Sequence, residues 1–224
     1  SERILGRTSN WIQLYLENKV SRGLMDMASA SSIVTDSAAA SSSWGGGQRV
    51  KNGAININTY GEEIMPIWQK FKASGKKAGC VTTVPITHAT PAGFTVSMKS
   101  RNDQSAIAEE YLRLEYDVLM GGGQQYFDSS IRKDGKDMYK AFKEKGYHVA
   151  LSREDLKDID DNKKVLGVFD YDGLPYEIDR KQSKELTNKI PTLAEMTEIA
   201  IDQMKDHKQG FVLQVESGKV DWAA

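Results

Sequence analysis

Residues 190–216 read "IPTLAEMTEIAIDQMKDHKQGFVLQVE". Thr192 and Glu195 stand at capping-box spacing and open a helical pattern. His207 and Lys208 suit the negative pole of its last turn, and Gly210 ends it. "FVLQVE" follows at once, apolar on both faces except at Gln214. A strand covered on both faces directly after an amphipathic helix belongs to a largely parallel sheet with helices on either side.

The same alternation runs outward along the chain. "GEEIMPIWQKFKASGKK" places Ile64, Ile67, Trp68 and Phe71 at helical spacing before Gly75, and "AGCVTTVP" follows as a β-branched run. Gln104–Tyr116 reads as a helix and "DVLMGGG" as a strand ending in a glycine turn. "MYKAFKEKG" then "YHVALS" repeat the pair. The polar segment 153–164 carries Asp158, Asp160 and Asp161 but lacks the glycine and terminal glutamate of a calcium loop, so it reads as a solvated connection. The expected fold is α/β, a three-layer sandwich with a mostly parallel sheet and helices on both faces. One domain over 1–224, incomplete at both ends, is expected.

Bulk properties exclude several classes. The 224 residues are 39% hydrophobic and 27% charged, the balance of a globular domain and not of a disordered chain. A net charge of −1 gives no electrostatic attraction to nucleic acid. No apolar run reaches the roughly 18 residues of a membrane span. Cys80 is alone, so it forms no intramolecular disulfide, and its setting, AGCV, is that of a buried thiol.

Sheets of this kind bind ligands beyond the carboxyl ends of their strands. After "SSIV", read as a strand, Thr35-Asp36-Ser37 opens the Ala-rich run "SAAASSSWGGG". Free N–H groups at a helix start favour an anion beside Ser37, and Asp36 or Ser37 equally suits a cap. Trp44, seven residues on, falls on the face of Ser37 and is expected to pack beneath it. After "CVTTVPI" come His88 and Thr90, the latter held extended by Pro91, and then Arg101, whose planar fork fits phosphate oxygens. After "FVLQV" come Glu216 and Asp221, oxygen donors suited to Mg²⁺ or Zn²⁺. "GGGQQYF" lacks the Lys-Ser/Thr pair of a P-loop, and no G-x-S-x-G elbow surrounds Ser37. A serine with no adjacent base calls for metal activation.

These motifs together resemble the alkaline phosphatase family. "VTDSAAASSSWGGG" resembles its nucleophile segment, and "THATPAGFTVSMKSRN" its segment with a magnesium-ligand threonine followed eleven residues later by the phosphate-binding arginine. "DVLMGGGQQYF" resembles its glycine turn, and "GFVLQVESGKVDWAA" its strand leading to a magnesium-ligand glutamate and, five later, a zinc-ligand aspartate. The resemblance implies phosphate monoester hydrolysis through a phosphoserine on Ser37, with two zinc ions and one magnesium ion. Ser37 and Asp221 would ligate zinc, Thr90 and Glu216 magnesium, and His88 would lie beside the magnesium and bind through water. Arg101, oriented by Asp36, would clamp phosphate, and Trp222 would tune that pocket. It also implies a homodimer, export to the periplasm or medium, and further metal ligands outside residues 1–224, one of them a histidine one position past the end. A related phosphodiesterase or sulfatase, and a non-catalytic phosphate-binding relic, are the alternatives.

Overall fold

Five strands make one sheet: β1 (Lys77–Pro85), β2 (Val118–Gly122), β3 (His148–Ala150), β4 (Val165–Val168) and β5 (Phe211–Glu216). Their order is β3-β4-β2-β1-β5, and every neighbouring pair is parallel. The computed structural model describes residues 6–17, 20–21, 23–157, 159–161 and 163–223, so Asp158 lies outside the described residues. The helices among them are α1 (Asn10–Leu16), α2 (Ser37–Gly46), α3 (Ile67–Ala73), α4 (Ala89–Thr95) and α5 (Gln104–Leu114). They continue with α6 (Met138–Glu144), α7 (Glu177–Gln182), α8 (Lys184–Lys189), α9 (Leu193–Met204) and α10 (Lys219–Trp222).

Strand side chains alternate between faces, and the core divides accordingly. Ala78, Cys80, Leu119 and Leu166 join Ile107, Tyr111, Met138 and Phe142 of α5 and α6 in one buried cluster. Val81, Val118, Met120 and Val165 join Met196, Ala200 and Met204 of α9 in the other. Helices therefore cover both faces, as the pattern of residues 190–216 predicts. Cys80 is fully buried, and burial pushes its thiol well above the usual range.

Three local expectations are corrected, and one strand is added. Ser31–Val34 is not a strand: Ile33 and Val34 are exposed and pair with no strand, and the Asn52 side chain instead donates to the Val34 carbonyl at 2.9 Å. The strand β4 follows the acidic connection and is too short for its four residues to show a period. β5 lies at the edge of the described sheet, so Val215 is 47% exposed despite its apolar pattern. The capping box of Thr192 and Glu195 is present, but α9 stops at Met204, and His207 bonds to the Gly75 carbonyl instead of closing the last turn.

The small residues of α2 have a packing reason. α2 crosses α4 at backbone contact: a Cβ on Gly45 would lie 2.1 Å from the Gly93 carbonyl oxygen, and one on Gly93 would lie 2.1 Å from Ser41 Oγ. Ser41 donates to the Ala89 carbonyl at 2.9 Å, and Ser42 accepts the Asn56 N–H at 2.8 Å. A larger side chain at these positions would force the helices apart and move the first turn of α2 away from the sheet edge.

Candidate active site

Asp36 is the N-cap of α2 and the centre of a hydrogen-bonded cluster. Oδ1 accepts the Ala39 N–H at 2.9 Å, and Oδ2 accepts the Gly53 N–H and Arg101 Nη1, each at 3.0 Å. Burial raises the Asp36 carboxyl, but the Ala39, Arg101 and Gly53 donors outweigh it and leave its pKa below the ordinary value. Gly53 also accepts the Arg101 backbone N–H at 2.7 Å, so one glycine fixes both members of the pair. Ser37 follows Asp36 as the first residue of α2, and its hydroxyl makes no hydrogen bond among the described residues.

The second edge of Arg101 meets His88, with Nη2 to Nε2 at 3.1 Å. A guanidinium only donates, so Nε2 accepts and the imidazole carries its proton on Nδ1. Burial first, and the adjacent Arg101 charge second, lower the His88 pKa to about 4. Its Nδ1 is buried without a partner.

Glu216 ends β5 opposite Thr82 of β1. Thr82 donates its hydroxyl to Oε2 at 2.6 Å. Burial raises the Glu216 pKa against the lowering effect of the Thr82 and Thr90 hydroxyls. No basic side chain pairs with Glu216 among the described residues. Thr90 is helical, not extended. It lies in the first turn of α4 with Pro91 next to it, a part of a helix where proline costs no hydrogen bond. His88 is the N-cap of that helix.

Asp221 and Trp222 belong to α10, directly after β5. The Trp222 ring meets His88 edge-on, centroids 6.0 Å apart. Thus Asp36, Arg101, His88 and Trp222 form one chain of contacts, and Glu216 and Thr90 a second, both at the carboxyl edge of the sheet. Trp44 does not pack beneath Ser37; it is 58% exposed and tilts against Phe94, centroids 6.0 Å apart. No three His, Cys, Asp or Glu side chains converge among the described residues. The oxygen donors here are hydroxyls beside single carboxylates. Thr82, Asn52 and Gly53 escaped sequence reasoning, because their roles depend on pairing across distant segments. For Thr82 a signal existed: a polar residue inside the β-branched run "CVTTVP".

Comparison with known proteins identifies relatives of the whole chain. The model of the family described as alkaline phosphatase covers residues 5–224. "Alkaline phosphatase 3" of Bacillus subtilis is 40% identical over 196 residues, which are 85% of this chain and 40% of the relative. "Alkaline phosphatase 4" of the same organism is 37% identical over 197 residues, again 85% and 40%. The crystal structure of Thermus thermophilus alkaline phosphatase superposes with a TM-score of 0.89 at 39% identity, covering 99% of this chain and 46% of that one. The chain thus spans less than half the length of these relatives. A parallel sheet with an arginine and two carboxylates at its carboxyl edge, matched from residue 5 to residue 224, makes the chain a member of the alkaline phosphatase family.

Proposed function

We propose that these residues serve the hydrolysis of phosphate monoesters by way of a phosphoryl group carried on Ser37, in a chain of the relatives' length. The observation that carries the reading is the Arg101 guanidinium, fixed 3.0 Å from Asp36 Oδ2, with Ser37 the next residue on the helix.

The donor set fits a hard cation. Glu216 is a partly buried carboxylate that accepts from the Thr82 hydroxyl and pairs with no basic side chain among the described residues, and a carboxylate in that setting suits a cation. Thr90 and Glu216 would hold magnesium, and Ser37 and Asp221 would contribute to zinc, with further ligands supplied from outside residues 1–224. Bound there, such ions supply Lewis-acid activation of the serine hydroxyl and of water, and stabilise the departing alkoxide. His88 Nδ1 carries the proton and so is a donor; it suits a water or a phosphate oxygen better than direct ligation.

The chain's own residues do the rest. Arg101 holds two non-bridging phosphate oxygens in its fork and places phosphorus before Ser37 Oγ. Oγ attacks phosphorus as its proton leaves, the ester P–O bond breaks, and the alcohol departs with a proton. Water then attacks the phosphoserine, the Ser37 Oγ–P bond breaks, and phosphate and the free hydroxyl return. Asp36 keeps the guanidinium aimed through both states, and the first-turn N–H groups of α2 favour the anion. Recognition of the phosphoryl group alone gives broad monoester specificity and inhibition by phosphate. Export to an extracytoplasmic compartment and a homodimer complete the reading. Relative rates on a phosphate monoester, a phosphate diester and a sulfate ester test it: the monoester is expected to dominate, and a faster diester or sulfate ester would overturn it.

A further inference from the structure

The connection after β4 reaches over the carboxyl edge of the sheet. There the Leu174 N–H donates to the Thr83 carbonyl at 2.9 Å. The Thr83 hydroxyl also accepts the Lys219 N–H at 3.1 Å, at the start of α10. One residue of β1 thus fixes both segments, and three contacts between them hold Trp222. Gly173 lies so close to the indole that a Cβ there would stand 2.8 Å from Cζ3. Tyr176 donates its hydroxyl to the Trp222 carbonyl at 3.1 Å. The Lys219 ammonium sits 4.5 Å from the Tyr176 ring centroid and 4.4 Å from that of Trp222, one cation shared by two aromatic faces. The indole then meets His88, and His88 Nε2 accepts from Arg101.

We infer that Gly173 and Tyr176 are positioning residues for the phosphate site. They fix the backbone and ring of Trp222, Trp222 backs His88, and His88 braces the face of Arg101 that Asp36 does not hold. Neither residue touches phosphate. The glycine is required because its neighbour is an indole with no room to withdraw: Lys219 lies against it, and the Tyr176 hydrogen bond holds its backbone. The inference rests on the reading of Arg101 as the phosphate-binding residue.

The test uses the full-length, metal-loaded enzyme with p-nitrophenyl phosphate as substrate and inorganic phosphate as inhibitor. Tyr176→Phe removes one hydrogen bond and keeps the ring under Lys219, so it folds. It is expected to raise the phosphate inhibition constant about threefold to tenfold, with a melting temperature lowered by no more than about 4 °C. Gly173→Ala is expected to act in the same direction and further. Arg101→Ala is the control for the underlying reading. If Arg101→Ala leaves phosphate inhibition intact, the phosphate site itself is misassigned. If Arg101→Ala abolishes inhibition while Tyr176→Phe keeps the parent inhibition constant, the positioning role is overturned. A fall in kcat alone, with KM and the inhibition constant unchanged, marks loss of folded enzyme and overturns it equally. Should Gly173→Ala fail to fold, Tyr176→Phe alone decides.

Discussion

Asp36 and Arg101 are joined by a 3.0 Å ion pair across 65 positions of sequence, and Asp36 is at the same time the cap of the helix that begins with Ser37. One carboxylate therefore couples the start of α2 to the aim of the guanidinium. Asp36→Ala removes cap and pairing together. It is expected to destabilise the chain by about 1–2 kcal/mol, the range for losing an N-cap, measured by urea unfolding. In the enzyme it also weakens inhibition by phosphate. Asp36→Asn, which keeps an acceptor, retains most of the stability and still loses phosphate affinity.

Arg101→Lys keeps the charge and loses the fork. Its phosphate affinity is expected to fall at least tenfold, on the order of the 1.4 kcal/mol that one charge-assisted hydrogen bond contributes. Phosphate inhibition kinetics check it; near-parent affinity would show that a point charge suffices.

Glu216 makes opposite predictions with and without cations. Its partly buried carboxyl has a raised pKa, so the ionised form costs stability, and that cost appears as pH rises through the folded value. In the metal-free chain at neutral pH, Glu216→Gln is therefore expected to be neutral or stabilising, by up to about 1 kcal/mol. The stabilisation of the parent by added Mg²⁺ is expected to vanish in the same variant. Melting curves with chelator and with Mg²⁺ read both effects.

Away from the site, Glu115 sets an acid limb. Hydrogen bonds from Lys164 first and Lys145 second lower its pKa to about 2, from an ordinary 4.5. The pairing stabilises above pH 4.5 and is lost as pH falls toward 2. Glu115→Gln should therefore flatten the stability profile between those values and change little above them. The carboxylate is 37% exposed, so added salt should reduce the difference.

Gly45→Ala and Gly93→Ala test the helix crossing. A methyl at either position enters occupied space, and overpacking of this kind costs about 1–3 kcal/mol. Urea midpoints measure it; unchanged midpoints would mean that the two helices can separate freely.

Much of this molecule could be read from its residues, and the rest fails for identifiable reasons. The two-faced apolar strands and the Thr192–Glu195 box express local periods and caps, and the sheet and α9 follow from them. Ser37, Arg101 and Glu216 announced themselves by residue type at strand and helix ends. Thr82, Gly53 and Tyr176 did not, because each acts on a partner more than 16 positions away. Ile33 and Val34 misled for the converse reason: β-branched residues favour extended backbone, but a strand needs a neighbouring strand, and here Val34 bonds to the Asn52 and Ser32 side chains instead. Trp44 satisfied helical spacing, yet Phe94 drew it aside.

Ser37 is the residue proposed to carry the phosphoryl group. Enzyme quenched in acid during turnover of p-nitrophenyl phosphate, digested and mapped by mass spectrometry, tests it directly. Phosphate on Ser37, absent in Ser37→Ala along with activity, is the expected result. Phosphate on another residue, or full turnover by Ser37→Ala, would exclude Ser37 as the nucleophile.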